Sequence, residues 1–228
     1  YSDIALGTSK LFGIDLLKNF NYPYFSRDIA EFWRRWHISL SSWFRDYLYI
    51  PLGGSQGGMW MKVRNTFIIF LVSGFWHGAN WTFIVWGLLN AIYFLPLLLQ
   101  NKNRSNMGEI ELSWDFSSMK IILNILGTFI LTTIAWIFFR AKSIAEAIGY
   151  IQKMVTDFHF ESQYLNNDRY NFELLFLVIV FVGVEWYNRT KVEPLSGKAS
   201  WIRVSLAIMA LLALGVYSDY KEFIYFQF

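Results

Sequence analysis

The segment GFWHGANW, residues 74–81, sets an imidazole, His77, inside the apolar run from Thr66 to Leu99. A buried polar ring is costly without a partner, and an ionisable group at membrane depth is a functional-site hypothesis by default. Burial disfavours the imidazolium, so this ring is expected to be neutral near pH 7 and able to accept a proton. The packing alternative is a ring hydrogen-bonded to a neighbouring helix. A second histidine, His37, has Arg34 at i−3 and Ser41 at i+4, which on one helix places it at the polar border beside Trp33 and Leu40. It reads either as a polar residue on a solvated face or as part of a site where arginines attract an anionic donor, such as a phosphate-bearing thioester. Those arginines would also disfavour its protonation. His159, in TDFHFES, is assigned a solvated or capping role.

Several chemistries fall away. The chain has no cysteine, which removes disulfides, a thiolate nucleophile, an enzyme-bound thioester and cysteine-ligated metal. His37 and His77 have no obvious carboxylate near them in sequence, so no metal site is expected, and no G-x-S-x-G elbow occurs. What remains is direct attack by a substrate hydroxyl on an activated acyl group, with His77 as general base and no covalent enzyme intermediate. Such a base supplies about 10²- to 10⁴-fold of rate, positioning and oxyanion stabilisation supplying the rest. Asn80 and the indole N–H of Trp76 or Trp81 are candidate oxyanion donors. PLGGSQGG, with Gly53, Gly54, Gly57 and Gly58, lacks the Lys-Ser/Thr of a phosphate-binding loop and reads as a turn.

The elements that must position these residues follow from composition. Of 228 residues, 55% are hydrophobic, 20% aromatic and only 16% charged, which is the balance of a membrane protein. The net charge of +3 arises from basic residues at segment ends and in connectors, suiting lipid headgroups better than nucleic acid. Apolar clusters at Thr66–Phe75, Ala79–Leu99, Met119–Phe139, Phe172–Tyr187 and Trp201–Tyr217 predict four or five crossings, with the run around His77 forming either two joined segments or one broken helix. After the mixed Gly, Asn and aromatic residues at the start, NYPYFS (residues 21–26) reads as a turn or extended lead-in, because Pro23 disfavours helix at Tyr22. One amphipathic interface helix is then expected, N-capped by Ser26 with Asp28 in its first turn. Its apolar face runs from Ile29 to Leu48, and Arg34, Arg35, Ser41, Ser42 and Arg45 turn toward water or phosphates. AKSIAEAIGYIQKM has helical periodicity and is expected along the interface. The fold class is all-α: a multi-pass transmembrane helical protein with interfacial amphipathic helices. If the run around His77 is a hairpin, the basic stretch 27–64 and the connectors 100–118 and 188–200 share one side, as the positive-inside rule places the cytoplasm; a single crossing there would shift every later loop.

EFWRRWHISLSSWFRDYLYIPLGG (Glu31–Gly54) followed by FLVSGFWHGANWTFIVWG (Phe70–Gly87) resembles the membrane-bound O-acyltransferase family, specifically its bacterial branch that acetylates alginate and similar exopolysaccharides. The lead-in YSDIALGTSKLFGIDLLKNFNYPY, the later WIFFRAKSIAEAI and the ending FIYFQF resemble the same branch. The family's membrane histidine falls on His77 and its second histidine on His37. The resemblance implies a multi-pass enzyme of the bacterial inner membrane, with a tunnel through a thinned region. It would take an acyl group from a cytoplasmic donor, acetyl-CoA or another acyl thioester, with no bound cofactor. It would deliver that group to a hydroxyl on the far side, on a polysaccharide such as alginate or on a periplasmic acetyl-accepting partner protein. Residues 1–228 are expected to be the C-terminal part of one such transmembrane domain. Catalytic roles are expected for His77 and His37, and substrate contacts for Arg34, Ser41, Arg45, Trp76 and Asn80. A related branch transfers D-alanyl groups to lipoteichoic acid, and the competing class is a non-enzymatic channel or scaffold in which His77 packs or lines a pore.

Overall fold

A computed structural model describes residues 2–110, 116–157, 170–191 and 200–214, all of the regular structure there being helical. His159 and the closing FIYFQF lie outside the described residues. The chain divides into two units, Tyr1–Phe176 and Leu177–Phe228.

In the first unit Ser2–Leu11 forms a helix, α1, and NYPYFS is the expected turn, with Pro23–Phe25 in a short 3₁₀ turn. The expected single interface helix is broken. It becomes α2 (Ile29–Arg35), α3 (Ile38–Phe44) and a wider π-type turn, Arg45–Tyr49. Asp28, not Ser26, caps α2 by accepting from the Glu31 N–H, while the buried Ser26 hydroxyl donates back to the Pro23 carbonyl at 2.6 Å. PLGGSQGG is the predicted turn, and buried Asn65 fixes it by donating to the carbonyls of Leu52 and Gly54 at 3.2 and 3.0 Å.

The run around His77 resolves into two helices, α4 (Gly58–Trp76) and α5 (Trp81–Leu99), folded back on each other. Their contact is backbone on backbone. A Cβ added at Gly74 would stand 2.3 Å from the Phe83 carbonyl oxygen, and one added at Gly87 would stand 2.3 Å from that of Phe70. One glycine on each helix thus lets the two axes approach more closely than any side chain permits, as small residues do between membrane helices. The tight turn between them needs Gly78, whose φ of +146° lies in the left-handed half of backbone space.

A third long helix, α6 (Phe116–Arg140), packs on α5, and α7 (Ile144–Thr156) folds back on α6. Ser143 and Glu146 form a reciprocal cap at the start of α7: Ser143 Oγ accepts from the Glu146 N–H, and Glu146 accepts from the Lys142 N–H. Trp86, Ala135, Phe138 and Ala147 form the core where these three helices meet, with Trp33 and Trp136 against it. Helices α5 and α6 are long and apolar enough to cross a membrane, and their outward faces expose Leu88, Ile92, Leu123 and Ile130.

The second unit contains most of α8 (Tyr170–Asn188) and all of α9 (Ser200–Leu214), both rich in exposed apolar side chains. At the end of α8, Arg189 lies 4.0 Å from the Trp186 ring and Lys191 lies 3.9 Å from that of Tyr187. Aromatic and basic residues at a helix end are the pattern of a headgroup-level anchor.

If the glycine contacts set the α4–α5 separation, Gly87→Ala in the full-length protein overpacks the hairpin and costs about 1–3 kcal/mol. The measurement is thermal unfolding in detergent, where an unchanged midpoint would contradict the close approach.

Candidate functional site

His37 occupies the break between α2 and α3, and its backbone is left-handed (φ 45°, ψ 56°). A non-glycine residue there costs about 1–3 kcal/mol and persists only where its surroundings impose it. The imposing elements are visible. Asn21 N–H bonds the Arg35 carbonyl at 2.9 Å, Ile38 N–H bonds the Asn19 carbonyl at 2.9 Å, and the Asn19 side chain accepts from both the N–H and the hydroxyl of Ser39. The lead-in therefore caps α3, a task His37 does not perform with its own ring.

Helix α2 is anchored in turn by Glu31, 2% exposed, whose carboxylate accepts from Arg27 (3.0 Å to each oxygen) and from Arg35 (2.7 Å). Arg34 donates to the carbonyls of Asn103 and Asn106 at 2.7 and 3.0 Å, tying α2 to the loop after α5. The arginines expected to face water or phosphates are thus largely committed to holding the fold, because at this depth an unpaired guanidinium is dearer than a paired one. Only Arg45 remains at the surface, in a fork on Asp46.

His77 sits in the turn between α4 and α5, outside both helices, and is half-buried. Four rings wall it: Trp76 at 5.0 Å, Phe83 at 6.1 Å, Trp86 at 5.3 Å and Phe139 at 4.8 Å between centroids. Trp86 and Phe139 stand nearly perpendicular to the imidazole (88° and 82°), the edge-to-face arrangement rings prefer. No side-chain hydrogen bond from His77 occurs among the described residues, where its contacts are with these rings. The aromatic wall continues through Trp136, 5.7 Å from Trp86, to Trp36, 5.0 Å further and the residue preceding His37. The two histidines therefore border one aromatic cluster.

Burial pushes both imidazoles below their ordinary value. Desolvation lowers the pKa of His37, and it lowers that of His77 to about 4, with the charge of nearby His37 adding to the effect. His37 Nδ1 and Thr82 Oγ1, the latter on the first turn of α5, are buried with no hydrogen-bond partner among the described residues. Such atoms are rare in native proteins.

The remaining residues singled out from sequence are distributed more widely. The Asn80 amide is used at both ends, its oxygen accepting from the Thr82 N–H and its nitrogen donating to the Lys142 carbonyl, both at 3.1 Å. It caps α5 and ties the turn to the end of α6. The Ser41 hydroxyl donates to the Trp36 carbonyl at 3.3 Å across the helix break. Trp76 keeps its ring on His77 while more than half of its surface faces outward, and Trp81 is 74% exposed without touching His77. Sequence reasoning did not single out Trp86, Trp136, Phe139, Glu31 or Asn90 for the site. The spacing of Arg27, Glu31 and Arg35 carried a signal, as did a lone amide in the apolar run of α5. The contributions of α6 carried none.

Against known proteins, residues 1–139 match MBOAT, the membrane-bound O-acyltransferase family. The chain is 37% identical over 209 residues to the probable alginate O-acetylase AlgI of Pseudomonas aeruginosa, covering 87% of this chain and 37% of that protein. It is 43% identical over 155 residues to the peptidoglycan O-acetyltransferase of Helicobacter pylori, covering 68% of this chain and 28% of that protein. It is 43% identical over 99 residues to the teichoic acid D-alanyltransferase of Streptococcus thermophilus, covering 40% and 24%. The chain belongs to the membrane-bound O-acyltransferase family, and its fold class is that of an all-α, multi-pass membrane protein. Each alignment spans well under half of the relative's length.

Glu31→Ala would leave Arg27 and Arg35 without their shared carboxylate and cost about 3 kcal/mol. Thermal unfolding of the full-length variant checks this, and a midpoint equal to wild type would show that the clamp does not anchor α2.

Proposed function

We propose that the protein to which this chain belongs is an O-acetyltransferase of the bacterial inner membrane. It moves an acetyl group from acetyl-CoA or another cytoplasmic thioester to a hydroxyl of a cell-envelope polysaccharide of the alginate type, or to a periplasmic relay protein. The observation that carries this reading is the half-buried imidazole of His77, set against four aromatic rings and without a side-chain hydrogen bond among the described residues. The hydroxyl oxygen attacks the thioester carbonyl carbon while its proton passes to His77. The tetrahedral intermediate then expels the thiolate, and the proton on His77 neutralises the departing sulfur. His77 thereby ends as it began, with one C–O bond formed and one C–S bond broken.

His37, at the other end of the aromatic cluster, presents the second imidazole and is assigned the orientation of the donor. The low dielectric of the enclosure strengthens any hydrogen bond to the developing oxyanion. Acetyl rather than D-alanyl transfer is favoured because the likeness to O-acetylases runs over 87% of the chain, against 40% for the D-alanyl relative.

In the full-length protein, His77→Ala is expected to lower acetylation of envelope polysaccharide by about 10²- to 10⁴-fold with normal membrane abundance. Mass spectrometry of the polysaccharide reports both the acyl group and the sugar, and retained acetylation removes the role given to His77.

Because the neutral imidazole is the active form and its pKa lies at about 4 rather than 6.5, the acid limb of kcat/KM is expected near pH 4. The rate should stay level from about pH 5 to 7; a limb near 6.5 would mean a solvated ring.

A further inference from the structure

Asn90 is a side-chain amide in the middle of α5, a candidate membrane span, and it is 1% exposed. An amide at that depth is costly unless both of its ends are satisfied. Here they are: Asn90 Oδ1 accepts from Trp33 Nε1–H at 3.2 Å, and Asn90 Nδ2 donates to the Trp86 carbonyl at 2.8 Å. One of its partners, Trp86, belongs to the wall around His77, and the other, Trp33, packs on Trp86. The Trp33 ring meets Trp86 edge-on at 5.7 Å and 73°, and Trp86 meets the His77 ring edge-on at 5.3 Å and 88°.

We propose that Asn90 is a positioning residue for acyl transfer, holding Trp33 against Trp86 so that Trp86 in turn fixes the orientation of the His77 imidazole. The physical reason lies in how few polar groups are available at this depth. The Trp33 indole N–H needs an acceptor, and Asn90 Oδ1 is the one it has. Without it, the indole must turn toward another acceptor or remain unpaired, and either outcome loosens the ring contact with Trp86. Among the described residues the imidazole has no side-chain hydrogen bond to hold its tilt, so its orientation is set by the rings beside it. A small error in the direction of a general base is expensive, because proton transfer requires alignment as well as proximity. Helix stability alone does not call for this amide, since a leucine, which shares its branched shape, would suit the middle of an apolar helix at least as well.

The inference rests on the reading of His77 as the base, and the experiment separates the two. Full-length protein in lipid nanodiscs is given acetyl-CoA and envelope polysaccharide, and His77-dependent release of free thiol is followed for wild type, His77→Ala, Asn90→Leu, Trp33→Phe and the Asn90→Leu/Trp33→Phe double variant. Asn90→Leu is expected to lower kcat about 10- to 100-fold with little change in KM for acetyl-CoA. Trp33→Phe, which removes the donor of the same hydrogen bond, should give a similar loss, and the double variant no further loss, because both break one link. A wild-type kcat per folded enzyme in Asn90→Leu, with only a shift in melting temperature, would reduce Asn90 to a packing residue and overturn the proposal. Losses that multiply in the double variant would overturn it as well. If Asn90→Leu does not fold, Trp33→Phe decides alone: a lowered kcat supports the link and a wild-type kcat overturns it. Thiol release that persists in His77→Ala, or that never depends on His77, removes the functional reading first and the positioning role with it.

Discussion

The approach of α4 to α5 through Gly74 and Gly87 is the constraint on which the rest of the site depends. Each glycine faces a backbone carbonyl of the opposite helix at a separation that leaves no room for a methyl group. Two contacts along one crossing fix both the distance and the register of the helices. They thereby fix the turn of His77 and Gly78 at one end and the face carrying Trp86 and Asn90 along α5. In lipid there is no hydrophobic force to hold such a pair together, so close packing and interhelical hydrogen bonds must do it.

Around this hairpin the polar groups are spent sparingly, and each links two elements. Asn90 joins α5 to α2 through Trp33, Arg34 joins α2 to the loop after α5, Asn80 joins the hairpin turn to the end of α6, and Asn65 holds the glycine-rich turn before α4. Glu31 gathers Arg35 at the end of α2 and Arg27 just before its start. A polar atom satisfied in this way contributes rigidity, whereas an unpaired one at the same depth would cost several kcal/mol. Against that background, His37 Nδ1 stands out as a buried polar atom with no hydrogen-bond partner among the described residues.

The break at His37 illustrates the same economy. A straight helix from Ile29 to Leu48 would have satisfied its own backbone, yet the chain accepts a left-handed residue and borrows Asn19 and Asn21 to cap the ends so exposed. The return is a sharp change of direction that brings Trp36 against Trp136 and sets His37 at the edge of the aromatic cluster shared with His77. Strain of this kind, held in place by surrounding hydrogen bonds, is characteristic of residues with a task beyond packing.

The amino-acid sequence by itself determined the class and the raw chemistry. Apolar runs of bilayer length dictated membrane helices, the absence of cysteine removed covalent thiol chemistry, and an imidazole among tryptophans has its pKa pushed down because burial disfavours its cation. Glycine and asparagine around His77 marked a turn, since those residues tolerate or cap what a continuous helix cannot. Tertiary structure alone decided the break at His37, because the local pattern favours one amphipathic helix and only the distant Asn19 and Asn21 make two shorter ones cheaper. It also decided the wall around His77, where Phe139 and Trp136 arrive from a helix far along the chain, and it gave Arg34 and Asn80 partners that no spacing reveals. Side-chain period fixes which face a residue occupies on its own helix; what that face meets is settled only when the helices pack.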